Sequence, residues 1–197
     1  MTLDLFAALL AFAFVTVISP GPNNLMLMAS GANFGFVRSI PHMAGVGLGF
    51  PAMVALVGVG VMRVFQVWPM AQTILLTVSI LYLLYLAWKI ANAAPPGRAE
   101  ATGRPLSFLQ AAGFQWVNPK AWSMALGAIT LYAPGRDLSA VLWVAATYVA
   151  VSVVSTSTWI VLGQQVRRIL TNPMRLRAFN WTMAALLVAS MIPVLLG

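Results

Sequence analysis

The chain consists of long runs of apolar residues, and charged residues occur mainly in the gaps between these runs. A transmembrane helix needs about 20 apolar residues to cross roughly 30 Å of hydrocarbon. The runs predict six helical crossings, near residues 3–28, 40–62, 67–90, 106–131, 139–163 and 178–196. We therefore expect an all-α integral membrane protein that forms a single transmembrane domain.

The first and the fourth run are too long to be straight helices. An unbroken helix from residue 5 to residue 37 would be about 50 Å long. The first run reads SPGPNN at residues 19–24 and the fourth reads QWVNPK at residues 115–120. Proline removes a backbone donor and clashes with the preceding turn, and glycine adds backbone freedom. We predict that helices 1 and 4 are broken at these motifs, at Pro20, Gly21, Pro22 and Pro119.

The two breaks lie half a chain length apart, so each falls at the same place in its half. Because three crossings per half is an odd number, the second half would be inserted upside down relative to the first. We predict two inverted three-helix repeats, at about 1–92 and 106–197, joined by a cytoplasmic linker at about 92–105. Secondary transporters often have this plan, with interrupted helices around a central site. The alternative is that both prolines only kink packed helices.

Polar side chains accompany both breaks, although unpaired amides in hydrocarbon are costly. Free carbonyls and amides could accept from the ammonium group of an amino acid, and a half-helix N-terminus could donate to its carboxylate. Lys120 is the only charge in the fourth run. It is interpreted either as a lysine that extends to the lipid headgroups or as a carboxylate partner or gating charge. The candidate substrate-binding residues are Asn23, Asn24, Gln115, Asn118 and Lys120.

The same motifs carry a family resemblance. The segments 19–24 and 115–121, with Gly35-Phe36, Gly45 to Gly49 and Tyr85 to Lys89, resemble the LysE/RhtB family of amino-acid exporters over about residues 10 to 130. The resemblance implies export of small amino acids or their derivatives from the cytoplasm, driven by the proton gradient. Within the family, the sequence is most similar to the branch that exports neutral amino acids, including cysteine and O-acetylserine.

The composition excludes a soluble protein and changes how the basic charge is interpreted. Only 7% of the residues are charged, against about 25% in soluble domains. The net charge of +8 would by itself suggest a nucleic-acid partner, but the basic residues lie between apolar runs, where they act as topology signals. We therefore expect a lipid bilayer around the protein and no nucleic acid.

The basic residues also predict the orientation, because cytoplasmic loops are enriched in lysine and arginine. The side opposite to the basic loops holds Arg63 and Arg136. Both termini are therefore predicted outside the cell, in a multi-pass protein of the cell (inner) membrane. The loops after crossings one, three and five hold eight basic residues: Arg38, Lys89, Arg98, Arg104, Arg167, Arg168, Arg175 and Arg177.

Other function classes find little support in the residues. The chain has one histidine, no cysteine and three acids, so no metal and no cofactor is expected. The hydroxyl-rich segment 152–158 has no accompanying base, which argues against an enzyme. His42 is the candidate for proton coupling, or else an interfacial hydrogen-bonding residue. A non-transporting scaffold or a channel-like protein is the alternative function, and a homodimer is left open.

Glycines recur in the second crossing and near its end. Small residues let transmembrane helices approach closely, so we predict packing positions rather than ligand contacts at Gly45, Gly47, Gly49, Gly58 and Gly60.

Overall fold

The structure of the protein is a computed structural model that describes residues 2–61, 67–68, 70–93, 104–170, 172–190 and 192, apart from the side chain of Gln72. Arg63, Arg98 and most of the linker predicted at 92–105 lie outside the described residues. The described part is helical and contains no strand. Its helices are α1 (Leu3–Ile18), α2 (Pro22–Phe34), α3 (Phe36–Gly58), α4 (Met70–Ala91), α5 (Phe108–Val117), α6 (Pro119–Tyr132), α7 (Leu138–Ile169) and α8 (Pro173–Ala189).

Helix boundaries follow local chemistry that the sequence carries. The helices α2, α6 and α8 each begin with proline in the first turn, where its missing donor costs nothing. The helix α5 begins with a reciprocal capping box between Ser107 and Gln110, which satisfies two otherwise free backbone donors. Asp137 caps α7 by accepting from the backbone N–H of Ala140 at 2.9 Å.

Three helices in the described part are long and apolar enough to cross a membrane, and a bent pair could form a fourth crossing. The three are Phe36–Gly58, Thr73–Ala91 and Leu138–Ile169, and the bent pair is α1 with α2. The remaining helices α5, α6 and α8 have 10, 14 and 17 residues. Many apolar side chains point outward, including Leu81 at 63% and Leu142 at 53% exposure, as expected of helices that contact lipid. The chain is therefore a helical multi-pass membrane protein, while six crossings in inverted repeats stay a prediction.

The helix α7 lies at the centre of the molecule and packs against α1, α2, α3 and α6. Its closest approach is to α2, where each helix offers a glycine to the backbone of the other. A Cβ atom added at Gly163 would overlap Met28 O, and one added at Gly31 would overlap Ile160 O. Such small residues allow two helix backbones to come into direct contact.

The predicted glycine packing is confirmed at three of five positions. Gly45 and Gly49 let α3 lie against α5, since an added Cβ would overlap Phe108 O or come within 2.6 Å of Ala112 Cα. A Cβ at Gly58 would lie 2.6 Å from a Val141 methyl. Gly47 has only ordinary contact space. Gly60 lies beyond α3 with a φ of 105°, a conformation that favours glycine, and its packing role stays a prediction.

Hydrogen bonds between helices show which helix ends lie at the same end of the molecule. At one end of the molecule, Asn180 of α8 donates to Ala93 O, just after α4, at 3.3 Å, and also pairs with Asn33 near the end of α2. At the other end, the Tyr132 hydroxyl donates to Ala8 O at 3.2 Å. The end of α2 and the residue just after α4 therefore lie close together, at the end of the molecule opposite to the start of α1.

Candidate functional site

The first interruption exposes the C-terminal carbonyls of α1. Helices α1 and α2 are bent by 58° at the segment between Ile18 and Pro22. The last carbonyls of a helix have no partner within it, and here side chains from elsewhere supply the donors. Asn24 donates its Nδ2 to Val17 O and Ser19 O, both at 2.8 Å.

Two residues of α7 complete this capping. The Ser155 hydroxyl donates to Val17 O at 3.0 Å, and the indole Nε1 of Trp159 donates to Ile18 O at 3.1 Å. Thr156 and Thr158 bond within the helix, to Val153 O at 3.4 Å and to Val154 O at 2.8 Å, whereas the buried Ser152 Oγ has no hydrogen-bond partner in the described part of the chain. This segment therefore has a structural explanation, and Ser155 serves the break directly.

The second interruption is the single residue Asn118 between α5 and α6. Its side chain is buried and its Oδ1 accepts from the backbone N–H of Lys120 at 3.1 Å. Asn118 is thus the N-cap of α6, and Pro119 follows as the first helical residue. Asparagine and proline together end one helix and begin the next, as their chemistry predicts.

Lys120 connects the two interruptions. Its ammonium Nζ donates to Ser19 O at 2.7 Å, to Ser19 Oγ at 2.8 Å and to Pro20 O at 3.2 Å. These carbonyls lie at the C-terminal end of α1, where the helix dipole favours a cation. The space beside Gly21 is occupied by the Lys120 side chain, because an added Cβ would lie 2.7 Å from its Cδ.

A pair of amides forms a second link across the breaks. Asn23 Nδ2 donates to Gln115 Oε1 at 2.8 Å, and Gln115 Nε2 donates back to Asn23 Oδ1 at 3.2 Å. Gln115 is fully buried and also donates to Ala111 O at 2.8 Å. All five predicted binding residues are therefore brought together around the two breaks.

A cavity of about 30 Å³ lies between the interruptions, and we call it the break pocket. That volume has room for only a few water molecules at most. The two halves would therefore have to separate before an amino acid could occupy it. Its polar lining supplies amides, hydroxyls and one ammonium group, from Thr16, Asn23, Asn24, Asn118, Lys120, Ser152, Ser155 and Thr156.

His42 does not join this site. It is fully buried in α3, and its Nδ1 lies 2.9 Å from Ser30 Oγ of α2. It lies in the wall of a larger cavity of about 220 Å³, together with Lys89 and Arg104. Sequence reasoning treated both cations only as topology signals and missed their common cavity. The sequence signal that could have indicated this cavity is the pair of polar residues Ser30 and Asn33, which lie three positions apart on α2.

Among the described residues, no group of histidine and acidic side chains could hold a metal ion. The polar groups at the breaks are amides, hydroxyls and one ammonium group, which donate and accept hydrogen bonds. Helices with polar interruptions that face one another define the class, a membrane transport protein with broken helices.

Comparison with known families agrees with this class. The family model for LysE type translocators matches residues 14–194. The chain belongs to this family. The resemblance expected from the motifs is confirmed, and it extends into the last third of the chain, where the motifs gave no signal.

Curated relatives are similar along most of their length. A cysteine/O-acetylserine efflux protein of Klebsiella pneumoniae is 26% identical over 190 residues, which is 95% of each chain. Proteins of the same description are 29% identical over 79% of each chain in Salmonella typhimurium, and 28% identical over 86% of this chain and 87% of the relative in Escherichia coli K12. No solved structure matches the chain.

Proposed function

We propose that the protein is a secondary exporter of small amino acids or their derivatives from the cytoplasm, driven by protons. Membership in the LysE family supports amino-acid export. The names of the relatives make cysteine and O-acetylserine the first candidates for its substrate. The observation that carries the proposal is the Lys120 ammonium held on the free carbonyls of Ser19 and Pro20.

This contact joins an ammonium group to carbonyl oxygens. An amino-acid zwitterion needs the same two kinds of partner, an ammonium for its carboxylate and carbonyls for its own ammonium group. When the halves separate, the substrate carboxylate would take Lys120 Nζ, and the substrate ammonium would take the carbonyl of Ser19 that the lysine leaves. The lysine thereby exchanges a neutral carbonyl acceptor for a charged carboxylate, and hydrogen bonds between charged groups are the stronger ones, while the Ser19 carbonyl exchanges one ammonium donor for another. Asn23 and Gln115 would exchange their mutual amide bonds for bonds to the substrate.

Access from alternate sides follows from the proposed plan of two inverted repeats, about 1–92 and 106–197, that rock around the breaks. The grouping of the ends of α2 and α4 agrees with a chain that crosses back and forth between them. The orientation with both termini outside is part of the proposal. We place the shared end of α2 and α4 in the cytoplasm because its predicted loops carry most of the basic residues. The homodimer stays a prediction that cross-linking in membranes would test.

Proton coupling is proposed for His42, since no acidic residue lies in the lining of either cavity. Histidine in water changes charge near the physiological range, so opening of the packing between α2 and α3 would be needed to protonate the buried His42, and this links its charge to that packing. We expect His42→Gln to retain substrate exchange but to lose uptake that is driven by an imposed pH gradient. Equal gradient-driven uptake in wild type and variant would assign the coupling to another group.

The test of the proposed function is uptake of radiolabelled L-cysteine and O-acetyl-L-serine into everted membrane vesicles and proteoliposomes. Rates are normalised to folded protein, measured by size-exclusion chromatography in detergent. We expect Lys120→Met to lower the initial rate at least about tenfold, because a charge-assisted hydrogen bond is lost. Lys120→Arg should also be impaired, since its donor geometry differs.

The matched control removes an exposed cation from the predicted cytoplasmic end. Arg168→Gln on α7 should keep the wild-type rate. No uptake of either compound by the wild-type protein would refute export of these substrates and favour a scaffold. Full activity per folded molecule in Lys120→Met would refute the binding role of Lys120 while leaving export intact.

A further inference from the structure

The cavity of about 220 Å³ is bounded by α2, α3, the end of α4 and the segment before α5. We call it the basic chamber and define it by its polar lining residues Ser30, Asn33, His42, Lys89 and Arg104. Asn92 also lines it, and apolar and aromatic side chains form most of the remaining wall. It is several times larger than the break pocket, so of these two cavities the basic chamber is the one with space for a small solute in this conformation.

The charge in the chamber is of one sign. Lys89 is half-buried in the last turn of α4, and Arg104 is exposed at the rim. The described acids, Asp4 and Asp137, do not line this cavity. Two cations without an acidic partner in the lining favour an anionic ligand, and arginine fits the planar fork of a carboxylate.

The wall also contains one buried polar atom without a partner. His42 Nδ1 is engaged by Ser30 Oγ, while His42 Nε2 has no hydrogen-bond partner in the described part of the chain. A buried polar group without a partner carries a cost in free energy. A polar ligand in the chamber would lie next to the ring that bears this atom and could offset that cost.

The basic chamber and the break pocket lie next to one another along the same two helices. On α3, His42 lines the chamber and Val46, one turn later, lines the break pocket. On α2, Asn23 lines the break pocket and Met26, three residues on, lines the chamber. Met26 and Val46 belong to one buried apolar cluster, so an apolar partition about one helical turn thick separates the two cavities.

We propose that the basic chamber captures the carboxylate of the amino-acid substrate before the substrate passes Met26 and Val46 into the break pocket. Lys89 and Arg104 hold the carboxylate, and the chamber opens on the end that we place in the cytoplasm. This inference rests on the proposed export function, and it adds a second substrate site with its own ligands.

The test measures the initial rate of L-cysteine uptake against concentration in proteoliposomes with the wild type, Lys89→Gln, Arg104→Gln and the double variant. We expect the half-saturating concentration to rise about five- to tenfold in each single variant, and further in the double variant. The maximal rate should stay within about twofold of wild type, since the break pocket is unchanged. Arg175→Gln, an exposed cation in the first turn of α8, is the control and should change neither parameter.

A phospholipid phosphate could satisfy the same two cations, so the vesicles are made from phosphatidylcholine alone and with added phosphatidylglycerol. Activation by phosphatidylglycerol that the variants lose, with an unchanged half-saturating concentration, would overturn the proposal in favour of a lipid site. If both single variants had the kinetic parameters of the wild type, the proposed capture site would also be overturned. Uptake by the wild-type protein would in that case still uphold export. Absence of uptake in the wild type would overturn the export function and this proposal together.

Discussion

Replacement of Gly163 by alanine tests whether direct backbone contact between α2 and α7 holds the first break in place. The added methyl group would overlap Met28 O and lie 2.9 Å from Ala32 N. Because ordinary contacts begin near 3.4 Å, the two helices would have to separate by at least about 0.5 Å against fixed backbone atoms. Gly31→Ala poses the same problem from the other helix, against Ile160 O.

The expected cost is that of overpacking a closely packed contact, about 1–3 kcal/mol. Alanine is intrinsically better than glycine inside a helix by about 0.8–1.0 kcal/mol, so part of the cost is offset. Gly113→Ala in α5 is the matched control, since nothing lies within 4 Å of its added Cβ. This control should therefore be neutral or stabilising.

The assay is thermal unfolding in detergent, followed by the fraction of protein that remains monodisperse on size-exclusion chromatography. Gly31→Ala and Gly163→Ala should lower the Tm by a few degrees relative to Gly113→Ala, at about 2–4 °C per kcal/mol for a chain of this size. If Gly163→Ala matched the stability of Gly113→Ala, the inferred backbone contact would be refuted.

Three further predictions concern the topology, a buried amide pair and a helix cap. In the chain without native cysteine, an impermeant maleimide should label Gly135→Cys in intact cells and Met174→Cys only after permeabilisation; the reverse pattern would overturn the orientation. Asn33 and Asn180 exchange hydrogen bonds of 2.8 and 3.0 Å, so a double-mutant cycle with leucine should give a coupling energy of roughly 0.6–1.7 kcal/mol in unfolding assays, and additive single effects would contradict it. The backbone N–H of Ala140 and the Ser139 hydroxyl hold the pKa of Asp137 below its ordinary 3.8, so its stabilisation is present above that pH and is lost as the pH falls through the lowered pKa. Asp137→Asn should lack this acid-dependent loss, and identical Tm profiles of wild type and variant between about pH 6 and about pH 3 would argue against it.

The helix interruptions could be predicted because proline acts locally. A missing donor and a fixed φ affect the turn in which the residue lies, whatever the rest of the chain does. Pro22 and Pro119 accordingly begin new helices. Proline within a run is not decisive, however, since Pro41 and Pro51 lie inside α3 and the helix continues through both.

The pairing of polar groups between helices could be predicted only in outline. Hydropathy and repeat position indicate that Asn23 and Gln115 lie at similar depth, but the rotation of each helix decides whether their amides meet. Asn33 and Asn180 lie far apart in the sequence, and no motif marks them as a pair. The basic chamber was missed for the same reason, because Lys89 and Arg104 share a cavity only through the way α4 packs.

The ammonium of Lys120 on the carbonyls of Ser19 and Pro20 makes this side chain a tethered competitor of any substrate that uses the same groups. A group on a short flexible tether acts at an effective concentration in about the millimolar range. The apparent affinity of the exporter for such a substrate is therefore lower than its intrinsic affinity. The two differ by a factor equal to the fraction of molecules in which the Lys120 ammonium has left these carbonyls. If Lys120 binds the substrate as proposed, the exporter has a raised half-saturating concentration, so it transports little at low intracellular substrate and approaches its maximal rate only after the solute accumulates, as an overflow valve does.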